Sequence, residues 1–157
     1  MTAAVEPSSR DPRGGRRRRM GILALADTGE LKRLWQRLGL DPAHEALRGP
    51  ETGLVTLRGR TGGGGAPFNV GEASVTRATV RLEDGSIGHS IMLGRDKVKA
   101  RLAAVIDALA VHPDHADRIE AEVLAPLEAA QAEADRQLRE ETAATRVEFF
   151  TMVRGED

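Results

Sequence analysis

Hydrophobic positions along this chain follow one period, then another, then the first again. Leu31, Leu34, Trp35 and Leu38 recur at i, i+3, i+4 and i+7. That spacing predicts one apolar stripe on an amphipathic helix. Asp27-x-x-Glu30 ahead of it is a capping-box pattern, and Gly39 ends it. Earlier helical turns are expected to begin near Arg17, and a short helical segment is expected at Pro42–Leu47. The period then changes to two: Val55 and Leu57 point one way, Thr56, Arg58 and Arg60 the other. Gly62–Gly65 reads as a loop, Val75–Leu82 as the next strand, and Asp84-Gly85 as a two-residue hairpin turn.

Such a turn sets a register. Leu82 faces Ile87, Val80 faces His89 and Ala78 faces Ile91 on the buried side. Arg81 meets Gly88, Thr79 meets Ser90 and Arg77 meets Met92 on the polar side. Helical spacing returns over Asp96–Val111, with Val98, Leu102, Val105, Ile106 and Leu109 on one face. His112-Pro113 stops it. Helices resume at about Asp114–Leu124 and Leu127–Thr145, with Pro126 at a break or a first-turn position. Val147–Val153 alternates again and reads as a last strand. Strands flanked by runs of helices predict an α+β fold: an antiparallel sheet of about four strands with helices packed mainly on one face.

Composition narrows this picture. At 157 residues the chain suits one domain, and with three Phe, one Trp and no Tyr its core must come from Leu, Val, Ile and Ala. Residues 1–19 hold six Arg against Glu6 and Asp11, a balance of +4; the rest holds 17 basic and 22 acidic residues, a balance of −5. Rich in Pro, Ser, Gly and Arg, residues 1–19 are expected to be a disordered arm preceding a single domain over 20–157. The acidic body gives no sign of general nucleic-acid binding. There are no cysteines. That excludes disulfides, thiolate catalysis and cysteine-ligated metals, and it is compatible with a cytoplasmic location. Arg16–Arg19 followed by Met20–Ala26 imitates a secretory signal, but the apolar run is too short for one.

Candidate chemistry is sparse. Gly62–Gly65 is followed by no Gly-Lys-Ser/Thr and no helix, so it is not a phosphate-binding P-loop. His112-Pro-Asp-His115 has metal-like spacing without an evident third ligand, and no metal site is expected. His89 is expected as a satisfied core histidine. Arg58, Arg60, Arg77 and Arg81 fall on one polar sheet face in this reading. Four close guanidiniums call for anions or carboxylates, so a solvated face, a partner interface and phosphate contact all stay open. Arg95, beside the Asp96 N-cap, would sit at the positive end of a helix dipole. Phe149, Phe150 and Met152, with Arg154 beyond, form an alternating strand with apolar residues on both faces, a candidate partner interface. No catalytic constellation stands out.

The motifs ETGLV at 51–55, the Arg-Thr-Gly-Gly loop, Thr76-Arg77-Ala78, Arg81-Leu82, Gly94-Arg95-Asp96 and Phe149–Gly155 (FFTMVRG) occur in an order and spacing that resembles PhnG. That family supplies a subunit of the bacterial carbon–phosphorus lyase core complex. The resemblance runs from about Met20 to Gly155; the Arg-rich leader departs from it. It implies an accessory subunit in phosphonate breakdown that works with PhnI, PhnH and PhnL and joins PhnJ in the core. Together these would displace adenine from ATP by an alkylphosphonate, giving ribose 1-phosphonate 5-triphosphate, with the glycosidic-bond chemistry on PhnI. ATP would be a co-substrate of the complex, with no cofactor held by this chain alone. A purely structural adaptor is one alternative. A nucleic-acid binder using the Arg-rich arm is another, opposed by the acidic body and the scarcity of aromatics.

Overall fold

The computed structural model describes residues 12–61 and 64–145. Helix α1 covers Pro12–Leu25 and α2 covers Thr28–Leu38. Strands β1 (His44–Gly59), β2 (Phe68–Leu82) and β3 (Ile87–Leu93) form an antiparallel sheet in the order β1-β2-β3. Helix α3 spans Lys97–Leu109, α4 Pro113–Ile119 and α5 Ala125–Ala144. The α+β class and the antiparallel sheet are as expected, with three strands among the described residues. The strand expected at Val147–Val153 lies outside those residues, and with it Phe149, Phe150, Met152 and Arg154.

Helix boundaries follow from local chemistry. The Asp27 side chain accepts from the Glu30 N–H at 2.9 Å, and Gly39 closes α2 with φ +71°. Asp96 accepts from the Lys99 N–H at 2.8 Å and from the Thr28 hydroxyl at 2.7 Å, so one carboxylate both starts α3 and ties it to α2. These contacts, the Lys99 amide first and Thr28 second, hold the Asp96 carboxyl below its ordinary range. The helix expected at 42–47 is not formed: β1 begins at His44, because Glu45 and Ala46 pair with Arg81 and Val80. Pairing across the sheet overrides the local helical preference of this segment. Pro126 falls in the first turn of α5. Just before it, Glu120–Leu124 forms a widened turn in which the Ala125 N–H reaches back five residues to Glu120. That turn absorbs the proline without stopping the helix.

The hairpin corrects the register by one residue. Gly85 donates to the Leu82 carbonyl at 3.0 Å and Leu82 donates to Ser86 at 2.9 Å, so the loop has three residues, with Gly85 at φ +88°. This is a turn followed by a glycine bulge. The pairs are therefore Arg81↔Ile87, Thr79↔His89, Ala78↔Ser90 and Arg77↔Ile91. Ala78, Val80 and Leu82 face the helices as expected, but on β3 the inward set is Gly88, Ser90 and Met92. Ile87, His89 and Ile91 face outward, so His89 is not a core histidine.

The reason is the closeness of α3. A Cβ on Gly88 would lie 1.9 Å from the Ala104 carbonyl oxygen and 2.5 Å from the Ala108 amide. Only glycine fits there. The helix answers with Ala100, Ala103, Ala104 and Ala108, all buried, while Val98 is exposed and Leu102 only half-buried. The large apolar residues of α3 thus mark its face less well than its alanines do. Leu31, Leu34, Leu38, Ile106, Ile119 and Val123 complete the core between α2, α3 and the α4–α5 segment.

The arm expected over 1–19 is helical from Pro12. Arg16 and Arg19 both bond Asp107, a fully buried carboxylate on α3, at 2.5 and 3.0 Å. Arg18 grips Glu120 at 2.9 Å and also Glu128. Composition alone hides such an anchor, because its acids lie about 90 residues or more downstream.

Candidate functional site

The expected arginine face divides in two. From Glu51 to Leu57 the pairing is regular: Thr52 bonds the buried Thr76 on the helix side, and Gly53, Val55 and Leu57 face away from the helices. The register shift between Leu57 and Arg58 puts its extra residue, Val70, on β2, so β1 keeps its alternation to Gly59. Arg58 therefore lies on the helix side, opposite Arg77, and donates weakly to the Pro67 carbonyl at 3.4 Å. Arg60 follows the end of β1. Arg77 and Arg81 lie on the outer side. The structure brings these two together and leaves Arg58 and Arg60 at the far end of the strand.

Each outer arginine meets a carboxylate across the strand pair. Arg77 Nε donates to Glu51 Oε1 at 2.6 Å, Arg48 Nε donates to the same oxygen at 2.8 Å, and Arg81 pairs with Glu45. The two guanidiniums, Arg48 first and Arg77 second, hold the exposed Glu51 carboxyl below its ordinary range. Cross-strand neighbours of opposite charge in direct register stabilise a sheet modestly. The sequence reading missed Glu45 because it took 42–47 for a helix, and Glu51 because it began the first strand only at Val55.

Arg95 bonds Ser74 Oγ at 3.3 Å, beside Gly94, whose amide donates to the Ser74 carbonyl. The helix end next to it is capped by Asp96. His89 Nδ1 lies 3.1 Å from Thr79 Oγ1 on the outer face, while its backbone N–H donates to Asp107 at 3.0 Å. Asp107 was also missed. Its signal was visible, a lone acid within an alanine-rich helical face. His112 Nε2 lies 2.7 Å from Ser86 Oγ and 2.9 Å from Asp84 Oδ2. Both partners meet the same ring nitrogen, so this is a clasp between the β2–β3 turn and the start of α4 rather than a relay that could activate the serine.

A family model described as phosphonate metabolism protein PhnG matches residues 14–155. The chain belongs to the PhnG family. It is similar to alpha-D-ribose 1-methylphosphonate 5-triphosphate synthase subunit PhnG of Rhizobium meliloti (strain 1021), with 54% identity over 145 residues, 90% of each chain. The family match starts before the residue 20 boundary and takes in the arginines that clamp α1. Among the described residues of this PhnG-family chain, no group of three or more acidic or histidine side chains is placed to hold a metal ion, and no helix is long and apolar enough to cross a membrane.

Proposed function

We propose that this chain is an accessory subunit of a cytoplasmic synthase that joins an alkylphosphonate to the ribose of ATP with loss of adenine, giving ribose 1-phosphonate 5-triphosphate. The observation that carries this reading is the 54% identity, across 90% of both chains, to a protein named as a subunit of that synthase. Its partners in this reading are PhnI, PhnH, PhnL and PhnJ, with PhnI providing the glycosidic-bond chemistry. ATP and the phosphonate are substrates of the assembly, and this chain holds no cofactor of its own.

The outer-face geometry supports an accessory role. Arg77 and Arg81 are both engaged by carboxylates of the same chain, and the Ser86–His112 contact is a clasp. The nucleic-acid alternative loses its main instrument, since Arg16, Arg18 and Arg19 are held by Asp107, Glu120 and Glu128. Between substrate contact and pure scaffolding, Arg77 is the discriminating residue.

Adenine release from ATP and methylphosphonate by the co-expressed subunits tests the reading. The expected result is turnover by the full set, none by this chain alone, and loss of turnover when this chain is omitted. Turnover by the purified single chain, or equal turnover without it, overturns the accessory reading. In matched assemblies Arg77→Ala is expected to reduce adenine release while leaving this chain's own stability within about 0.5 kcal/mol. Wild-type turnover by that variant would assign the chain to pure scaffolding.

A further inference from the structure

We infer that the outer face of the sheet, from β3 along the β1–β2 ribbon, is the surface that docks this chain onto another protein subunit of its assembly. The inference rests on the subunit reading above and names the face it uses. Among the described residues twelve large apolar side chains are exposed, and six of them, Leu57, Phe68, Val70, Ile87, Ile91 and Leu93, share this one side. The register establishes their orientation. Ile87, Ile91 and Leu93 pair with Arg81, Arg77 and Val75, all on the outer side. Leu57 follows Glu51 by an even number of residues, and Phe68 pairs with Gly59, two further on. Val70 lies over Gly59 on the same side, its Cγ1 being 3.1 Å from where a Gly59 Cβ would stand. The remaining six exposed apolar residues are spread over α1, β1, α3, the α3–α4 link and α5.

This chain's own described elements leave the stripe open. α3 covers the opposite side of the sheet, and α5 is exposed from Ala132 to Thr145. A two-stranded ribbon is at best marginally stable by itself in water, yet this one turns its large apolar residues away from the chain's own core. Large exposed apolar side chains gathered on one face mark a protein contact.

Charge selects the occupant. Within the face, Arg77 and Arg81 on the middle strand and Arg48 on β1 stand against Glu45 and Glu51, which leaves one positive charge in excess. Two copies meeting face to face would bring the excess positive charge of both into one interface. The complement is a different chain, apolar opposite β3 and the ribbon end and acidic opposite the arginines between them.

The test is co-purification of this chain with the tagged partner subunits named above, using Leu57→Asp and Ile91→Asp. Leu54→Asp, on the helix side of the same ribbon, and Leu138→Asp, on α5, serve as controls. The two outer-face variants are expected to lose at least tenfold in captured partner, and the controls to stay within twofold of wild type. Leu57 stands clear of the core, so Leu57→Asp is expected to keep the wild-type melting temperature, which separates lost docking from lost folding. Equal capture of the outer-face variants and wild type overturns the assigned face. A wild-type chain that captures no partner subunit removes the reading beneath the proposal and the heteromeric occupant with it. Should the chain run alone as a dimer that Leu57→Asp and Ile91→Asp convert to monomer, the occupant is a second copy and the proposal falls.

Discussion

The body of the sheet and its ribbon obey the same alternation with opposite outcomes. Along β2 from Arg77 to Leu82 the apolar residues face α3 and the two arginines face away, and Val80 is 1% exposed. Along the ribbon Leu57, Val70 and Phe68 face away, while Thr56, Arg58 and Asn69 face the helix side; Val70 is 55% exposed. Alternation identifies two faces of a strand but not which of them the fold covers. In the body the helix layer decides. Beyond that layer nothing in the chain's described residues does, and the polarity inverts.

The substitution expected to act most strongly probes the closest approach in the body. Gly88→Ala would drive a methyl into the backbone of α3 at Ala104 and Ala108, and denaturant unfolding should show a loss of about 3 kcal/mol or more. A near-neutral result would mean that α3 can lift away from β3, and the body would resemble the ribbon more than described. Asp107→Asn comes next. It weakens the hold on Arg16 and Arg19 and on the His89 N–H, at an expected cost of about 2 kcal/mol, moderated because Arg16 stays partly in water. Loss of protease resistance around α1 before global unfolding would locate the damage at that anchor.

The valine pair sharpens the comparison directly. Val80→Ala removes two buried methyls and should cost about 2 kcal/mol, whereas Val70→Ala should change stability by less than about 0.5 kcal/mol. Equal effects in thermal or denaturant melts would erase the distinction between the two regions. Asp96→Ala has an expected cost of about 1 kcal/mol at neutral pH. The folded-state value of Asp96 is depressed, so its contribution is complete above the ordinary carboxylate range and is lost as pH falls through the lowered value. The gap between wild type and Asp96→Ala should therefore narrow on acidification, and a gap constant down to strongly acidic pH would deny the charge any part in it.

Helix caps were legible because they are written in adjacent residues: Asp27 with Glu30, Gly39, Asp96. The inward set on β2 was legible for the same reason. The inward set on β3 was not, since the fit of Gly88 and Ser90 against the alanines of α3 is a matter of distance between elements far apart in sequence. A single residue more in the Leu82–Ser86 turn than the Asp84-Gly85 pattern suggested then exchanged every side chain between faces. At the candidate site, Arg77 and Arg81 were placed on the correct outer side. Glu45 was hidden by taking 42–47 for a helix and Glu51 by starting the strand at Val55, and Arg58 was misplaced by assuming that apolar residues always point toward the same core. The family was legible from the order of short motifs, none of which depends on those registers.

The widened turn at Glu120–Leu124 has one more consequence. An α-helix advances about 100° for each residue, so a turn that holds one residue extra resets the azimuth of everything after it. The exposed length of α5 therefore aims its stripe of Glu133, Arg136 and Glu140 in a direction set upstream, by the turn at residues 120–124 and by the contacts of Leu127, Glu128 and Gln131 with the body. Removing one residue there would leave the helix intact and swing that charged ridge about a quarter of the way around its axis.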